Sequence, residues 1–344
     1  MKRKLASIQI VQTLEPIPNA EKIEVAGVLG WKCVVQKGMF SVGDPGIFIE
    51  IDSILPQLPE FEFMKDRGYR VKTIKLRGQL SQGLFMPMSI LDGKKYPTDK
   101  RERPIYHFMG GQDVTDLLGI VKYELPLPAQ IAGQVYGNFP HFIPKTDEIR
   151  LQSEPGLLDE IRGVPVYITS KVDGTSGTFY VKDGHFGVCS RNWEYKDEGS
   201  TVYWQVAKRY GIEEKLLSLG RDLALQGEVA GPGINKNTMG LEELDVFMFN
   251  LWDIQEQEYA SFKELWGILG KLDLKSVPLL VENVSIKPAT VDIMIDMAIG
   301  RYPTNGHQQE GIVVRPMNEM ASTILKSRLS FKVVNNLYLL EGGE

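Results

Sequence analysis

The chain has 344 residues, 43% hydrophobic and 24% charged, with a formal net charge of −5. That length supplies two ordinary cores, the composition excludes a disordered or fibrous chain, and no apolar run reaches a membrane span or forms a secretory signal. The two cysteines, Cys33 and Cys189, lie far apart without a CxxC partner, and the four histidines (His107, His141, His185, His307) lack metal-ligand spacing, which excludes a disulfide scaffold and a thiolate or histidine metal centre and fits a reducing cytoplasm.

In chain order, residues 6–13, 23–28, 31–36 and 46–51 read as short strands, separated by turn signals such as Pro18-Asn19 and Gly43-Asp44-Pro45-Gly46. Another strand is expected over 69–77, followed by Gly83-Leu84-Phe85-Met86. Short strands with glycine turns predict a small closed all-β barrel of the OB type. Lys65, Arg67, Arg70, Lys72, Lys75 and Arg77 are interleaved with Tyr69. Cations with an aromatic on a barrel strand suit a phosphate-tracking groove, with Arg70, Lys72, Lys75 and Arg77 as candidate contacts; a solvated strand face carries the same pattern. Residues 125–128 and 133–144, rich in Pro and Gly, read as a linker, so the boundary is placed near residue 130, giving domains 1–130 and 131–344.

The second part mixes strands (164–171, 177–181, 223–229, 246–254, 311–315) with helical periodicity over 202–217, 261–271 and 290–301. Strands and helices do not alternate strictly, which predicts an α+β domain. Neither a Walker A sequence nor a dinucleotide fingerprint is present, so a nucleotide must be held by other means.

Chemistry concentrates in six segments. Lys171-Val172-Asp173-Gly174-Thr175 puts an amine at the end of a strand, before a turn. Ser190-Arg191-Asn192 follows the next strands, and Gln226-Gly227-Glu228 ends another. Phe247 and Phe249 alternate within an apolar strand. Glu310-Gly311-Ile312-Val313-Val314-Arg315 opens a strand with a carboxylate, and Lys326-Ser327-Arg328 and Ser330-Phe331-Lys332 bring cations near the end of the sequence. This order resembles the covalent nucleotidyltransferase superfamily of polynucleotide ligases and capping enzymes. More closely, with Lys145-Thr146-Asp147-Glu148-x-Arg150, Gly227-Glu228-Val229 and Ser330-Phe331-Lys332-Val333, it resembles the ATP-dependent RNA ligases of the Deinococcus and Naegleria type, which carry an N-terminal OB domain.

The resemblance implies an α+β, ATP-grasp-like ligase domain behind the barrel, and a three-step reaction: adenylylation of Lys171, transfer of AMP to an RNA 5′-phosphate, and attack by a 3′-OH. An amine attacks phosphorus only when deprotonated, so the implied role of Lys326 or Lys332 is to supply positive charge beside Lys171 and to neutralise the α-phosphate. The family's last motif usually reads Lys-x-Lys, and which of the two lysines fills it stays open. Phe249, with Phe247 as rival, would stack on adenine. Arg191 and Glu228 would hold the ribose, and Ser170 would also touch the nucleotide. Arg150 would meet ATP phosphates or the RNA 5′-phosphate. Glu228 and Glu310 would bind the waters of Mg²⁺ or Mn²⁺. The implied partner is RNA, as a nicked duplex or broken ends, with no membrane and no obligate protein partner, in the cytoplasm and in RNA repair. A DNA ligase or capping enzyme normally places its OB domain after the nucleotidyltransferase domain, and only 12 residues follow Lys332. A non-catalytic RNA- or tRNA-binding protein with a degenerate second domain would have lost Lys171, Glu228, Glu310 or Lys332, all of which are present.

Overall fold

A computed structural model describes residues 4–92, 94, 111–123, 133–197, 201–286 and 290–341. The expected boundary near residue 130, residues 125–128 of the expected linker, and His107 lie outside the described residues. The chain divides into two compact units, Met1–Pro126 and Leu127–Gly343.

In the first unit Ala6–Ile10 pairs antiparallel with Pro45–Ile49, which pairs with Leu84–Pro87, while Thr13–Pro16, Ile23–Val28 and Trp31–Gln36 form a second antiparallel set. The expected 6–13 strand is therefore broken. Val11 donates its N–H to Asp44 O and Gln12 to Gly27 O, so the chain turns from one set to the other at this corner. Trp31–Gln36 lies along Gln79–Gln82, with Lys32 N–H on Gln82 Oε1 at 3.2 Å and Val34 N–H on Ser81 Oγ at 3.0 Å. The result is an OB barrel. Period-2 alternation puts Trp31, Cys33 and Val35 inward, where they pack with Phe40, Phe48 and Phe85.

The expected 69–77 strand is mostly something else. Pro59–Arg67 is a 3₁₀ segment begun by its proline and ended by Gly68 in the left-handed region, so extended structure starts only at Thr73–Leu76. Tyr69 is buried with Phe61 and Met64, and its hydroxyl donates to Glu62 at 3.0 Å. It is therefore a core residue rather than a stacking platform among the cations.

The second unit contains two sheets. One is seven-stranded, in the order Val135–Asn138, Trp193–Tyr195, His185–Ser190, Thr175–Lys182, Leu223–Ala230, Asp245–Asp253, Glu258–Tyr259. The other is five-stranded, in the order Ile149–Arg150, Phe331–Val334, Gly311–Pro316, Pro165–Lys171, Leu279–Ser285. Residues 133–144, expected as a linker, belong to this unit. Val135–Asn138 pairs with Trp193–Tyr195, and Phe139, Phe142 and Ile143 pack on Tyr180, Cys189, Ala224 and Trp252. Their aromatic content outweighs the Pro/Gly signal.

Helices back both sheets. Val202–Arg209 and Ile212–Leu217, expected as one helix, are separated at left-handed Gly211; with Phe262–Leu272 they bury Trp204, Val206, Leu216, Leu265 and Leu269 against the larger sheet. Val291–Met297 covers the smaller one through Met294 and Ile295. Thr201, Ser261 and Thr290 cap three of these helices, each accepting the N–H three residues on, which fixes where the helices begin.

Candidate active site

Lys171 is the last residue of Pro165–Lys171, and the next strand, Thr175–Lys182, belongs to the other sheet. The turn between them is a bridge across sheets, not a hairpin. A Cβ on Gly174 would come within 2.4 Å of Val229 O and 2.8 Å of Glu228 Cγ. Only glycine lets the lysine turn lie against the strand that carries Glu228.

On the smaller sheet Lys171 is level with Gly311, Thr169 with Val313 and Tyr167 with Arg315, while Val313 is level with Lys332 and Lys332 with Arg150. Residues at alternate positions share a face. Lys171, Arg315, Lys332 and Arg150 therefore form a cationic face. Lys171 Nζ donates to Glu310 Oε1 at 2.5 Å, and the Glu310 side chain is 7% exposed.

The carboxylates gather around this amine. Burial pushes the Glu228 carboxyl up to about 8; Glu310 and Asp173 reinforce that shift, and Lys171 and Lys332 oppose it. Asp173 is buried, accepting from Asn235 Nδ2 at 2.7 Å and Thr238 Oγ1 at 2.5 Å. The buried Tyr302 hydroxyl lies beside the same acids: burial first, then Glu310 and Asp173, raise its pKa. Phe247 and Phe249, both half-buried, border an apolar patch of Val172, Ala230, Met239, Val277 and Tyr302.

A buried ion pair supports Phe249. Arg315, 2% exposed, donates to Glu148 Oε1 at 2.6 Å, Phe249 O at 2.9 Å and Ser330 Oγ at 3.0 Å, and its guanidinium lies 5.6 Å from the Phe249 ring centroid. Burial works against the Glu148 charge, but Arg315 and Arg328 outweigh it and hold the carboxyl below its usual range. Glu148 belongs to a segment crossing the larger sheet, where Gln226 Nε2 donates to Pro144 O at 2.7 Å and Thr146 Oγ1 meets Ser176 Oγ at 2.7 Å. Arg150 follows, buried beside Lys332.

Not every expected residue joins this group. Ser170 follows Val166 and Ile168 on the face turned to the helix-backed core, and its hydroxyl is buried there with no hydrogen-bond partner among the described residues. Adjacent residues in a strand point to opposite faces, so a nucleotide role beside Lys171 does not fit its placement. Lys326 is exposed in a left-handed turn, and that turn is held from outside by Glu160, which accepts from Ser322, Thr323 and Ile324. Of the two candidate lysines, Lys332 is the one whose charge reaches Glu228. Arg191 is 53% exposed and paired with Asp147 at 2.5 Å, at the rim.

Several residues of the site escaped the sequence reading. Asp173 lay inside the lysine motif without a role, Asn235 and Thr238 lay just after the glycine-rich stretch that follows Glu228, Glu148 was read only as a signature position, and Tyr302, just past the helix expected over 290–301, carried no reading. The Gly231-Pro232-Gly233 run was the one available signal for the loop that holds Asp173.

An amine flanked by carboxylates, with further cations on the same face and half-buried aromatics nearby, can capture a phosphoryl group and hold a flat base. Comparisons with known proteins place the chain in a family. An OB-fold domain family profile matches residues 5–88, and the RNA ligase family profile matches residues 164–334. No curated protein matches. The chain is similar to the solved Naegleria gruberi RNA ligase with PPi, at 35% identity over 99% of this chain and 99% of that one, with a TM-score of 0.78. Two mutants of the same Naegleria gruberi enzyme, one with ATP and Mn and one with AMP and Mn, match at 35% identity over 98% of both chains, with TM-scores of 0.78 and 0.79.

Proposed function

The chain belongs to the RNA ligase family and is an ATP-dependent RNA ligase; from that premise we infer that Lys171 is its nucleophile and that it seals a 3′-OH to a 5′-phosphate. The observation that carries this reading is the Lys171 amine, 2.5 Å from Glu310 at the point where the two sheets meet. In the first step Nζ gives up a proton and bonds the α-phosphorus of ATP, the α–β anhydride breaks, and pyrophosphate leaves. In the second, a 5′-phosphate oxygen of RNA takes the adenylyl group and the N–P bond breaks. In the third, the 3′-OH attacks the activated 5′-phosphorus, losing its proton, and AMP departs.

Lys332 and Arg150, on the cationic face with Lys171, are suited to the phosphates. Phe249, fixed from behind by Arg315, is suited to the adenine, with Arg191 at the rim for the ribose or the RNA. Mg²⁺ or Mn²⁺ fits Glu228 and Glu310 on charge, because a cation beside them would offset the burial and the mutual repulsion that raise the Glu228 carboxyl. Among the described residues, no three Asp, Glu, His or Cys side chains converge to hold a metal alone, which suits an ion sharing its ligands with water and ATP phosphates. When bound, such an ion would offset charge on the α-phosphate. Consumption of ATP suits an enzyme inside the cell, and the chemistry suits repair of cleaved RNA. The described residues contain no helix long and apolar enough to cross a membrane.

The test is label transfer from ATP carrying a tagged α-phosphate, followed by a chase with nicked RNA. Covalent AMP on the wild type, absent from Lys171→Ala and discharged best by a 3′-OH RNA end, is the expected result. Label retained on Lys171→Ala would remove the assignment.

A further inference from the structure

In the barrel unit, a long excursion leads from Pro45–Ile49 to Gln79–Gln82 by way of Ser53–Ile54, the 3₁₀ segment Pro59–Arg67 and Thr73–Leu76. OB barrels commonly use this fourth-to-fifth-strand loop for oligonucleotides. Here it encloses a pocket of about 210 Å³ lined by Met64, Arg67, Arg70, Val71, Lys72, Ile74, Gly83 and Leu84. Met64 and Val71 are buried and Ile74 and Leu84 half-buried, while Arg67 and Lys72 stand exposed. The pocket therefore combines an apolar floor with cations.

Two features show that the pocket is built rather than incidental. Arg70 is fixed, its guanidinium 3.6 Å from the Tyr123 ring centroid and bonded to Asp52 at 3.0 Å. A stacked, paired arginine loses little entropy on meeting a ligand. Tyr69, between the two arginines, is held in the left-handed region at φ 58 directly after Gly68 at φ 59. For a bulky residue that costs roughly 1–3 kcal/mol and persists where surrounding structure demands it. It turns the ring inward and leaves Arg67 and Arg70 on one pocket.

We infer that this pocket is a subsite for one unstacked nucleotide of the RNA strand, the base seated on Ile74 and Leu84 beside the Arg70 guanidinium and its phosphate between Arg67 and Lys72. The volume lies below the ~300–1,000 Å³ of drug-sized sites, which suits a single base rather than a pair. Unstacked bases rest on guanidinium planes and apolar side chains, and RNA offers them in single strands, loops and ends. The inference rests on RNA being the substrate and adds a place where the barrel distinguishes an open strand from a closed duplex.

The test uses the full-length protein without ATP and measures binding of a fluorescent single-stranded RNA and of the same strand in a blunt duplex. Arg67→Gln with Lys72→Gln should weaken single-strand binding about ten-fold and lower the slope of log K against log salt by roughly one to two. Ile74→Ala should weaken the single strand more than the duplex and leave the slope unchanged. Label transfer from ATP, run on the same samples, should match the wild type, and circular dichroism melts matching the wild type show that the barrel of each variant is folded. Unchanged single-strand affinity in the Gln pair overturns the subsite, and equal losses for single strand and duplex overturn the unstacked base. A wild type that takes no label from ATP counts against the ligase reading alone, because the binding comparison needs no ATP.

Discussion

The cations of the second unit and those of the barrel are held in opposite ways. Arg315 is 2% exposed and bonded to three oxygens, Arg150 is buried, and Lys171 is locked on Glu310. Lys72, Lys75 and Arg77 in the barrel are exposed, while Arg70 is half-buried, with its guanidinium over the Tyr123 ring and paired with Asp52. Buried charge is costly unless every partner is in place, so a site built that way is rigid and specific for one geometry. Exposed charge is cheap, screened by salt, and tolerant of position, which suits a polymer sliding past. On the proposed reading, the first arrangement suits holding a phosphorus atom still and the second suits following a backbone.

Breaking the buried set should therefore cost far more than breaking the exposed one. Lys171→Met should remove AMP label altogether, a loss beyond about 1,000-fold in label transfer, with the fold retained by circular dichroism. Lys332→Ala should slow label transfer roughly 100-fold, as a lost charge-stabilising group does, while Lys326→Ala stays within two-fold. Equal effects would erase the distinction drawn between these lysines.

Arg315→Met leaves Glu148 buried and unpaired, and should destabilise by ~3–5 kcal/mol in chemical denaturation. Adding Glu148→Leu should recover much of that stability without restoring the KM for ATP, since Phe249 still lacks its brace.

Glu228 titrates near 8 in the fold against a reference value of 4.5. Between those values the folded state binds the extra proton, so this group makes stability fall as pH rises. Glu228→Gln should flatten that dependence and add about 1–3 kcal/mol at pH 8, after discounting for the side chain's partial exposure, while slowing adenylylation. Stability that still falls equally steeply would assign the slope to other groups. The smallest effect is expected at Arg77, which occupies a left-handed turn position beside Gly78. Arg77→Asn should gain ~0.5 kcal/mol or less in thermal melts.

Much of the architecture was legible because it is locally encoded. Ile23–Val28 and Trp31–Gln36 begin and end where alternation and turns put them. The helices expected from 261 and 290 begin there, capped by Ser261 and Thr290, although the second ends at Met297 rather than at 301, and the order of Lys171, Glu228, Phe249 and Glu310 carried the family. Errors came where a local signal was overridden. Tyr69 looked like a strand aromatic until the left-handed pair at 68–69 turned it inward, and the Pro/Gly-rich 133–144 stretch hid Phe139, Phe142 and Ile143, which pack on the sheet.

The sequence by itself determined which chemistry is possible: a lysine before an Asp-Gly turn, carboxylates and an aromatic on strands, and cations near the end. Only tertiary structure decided which of these groups meet. Asp173 is held by Asn235 and Thr238, 62 and 65 residues away, and Arg315 by Glu148 across 167. Ser170 is turned from the site its neighbour faces, and Lys332 lies on the cationic face with Lys171 while Lys326 sits in an exposed turn. The reason is physical. Strand and helix periodicity is set by neighbours along the chain, but the register between two sheets is set by packing among segments far apart in sequence, and the electrostatics of a buried site exist only once that register has formed.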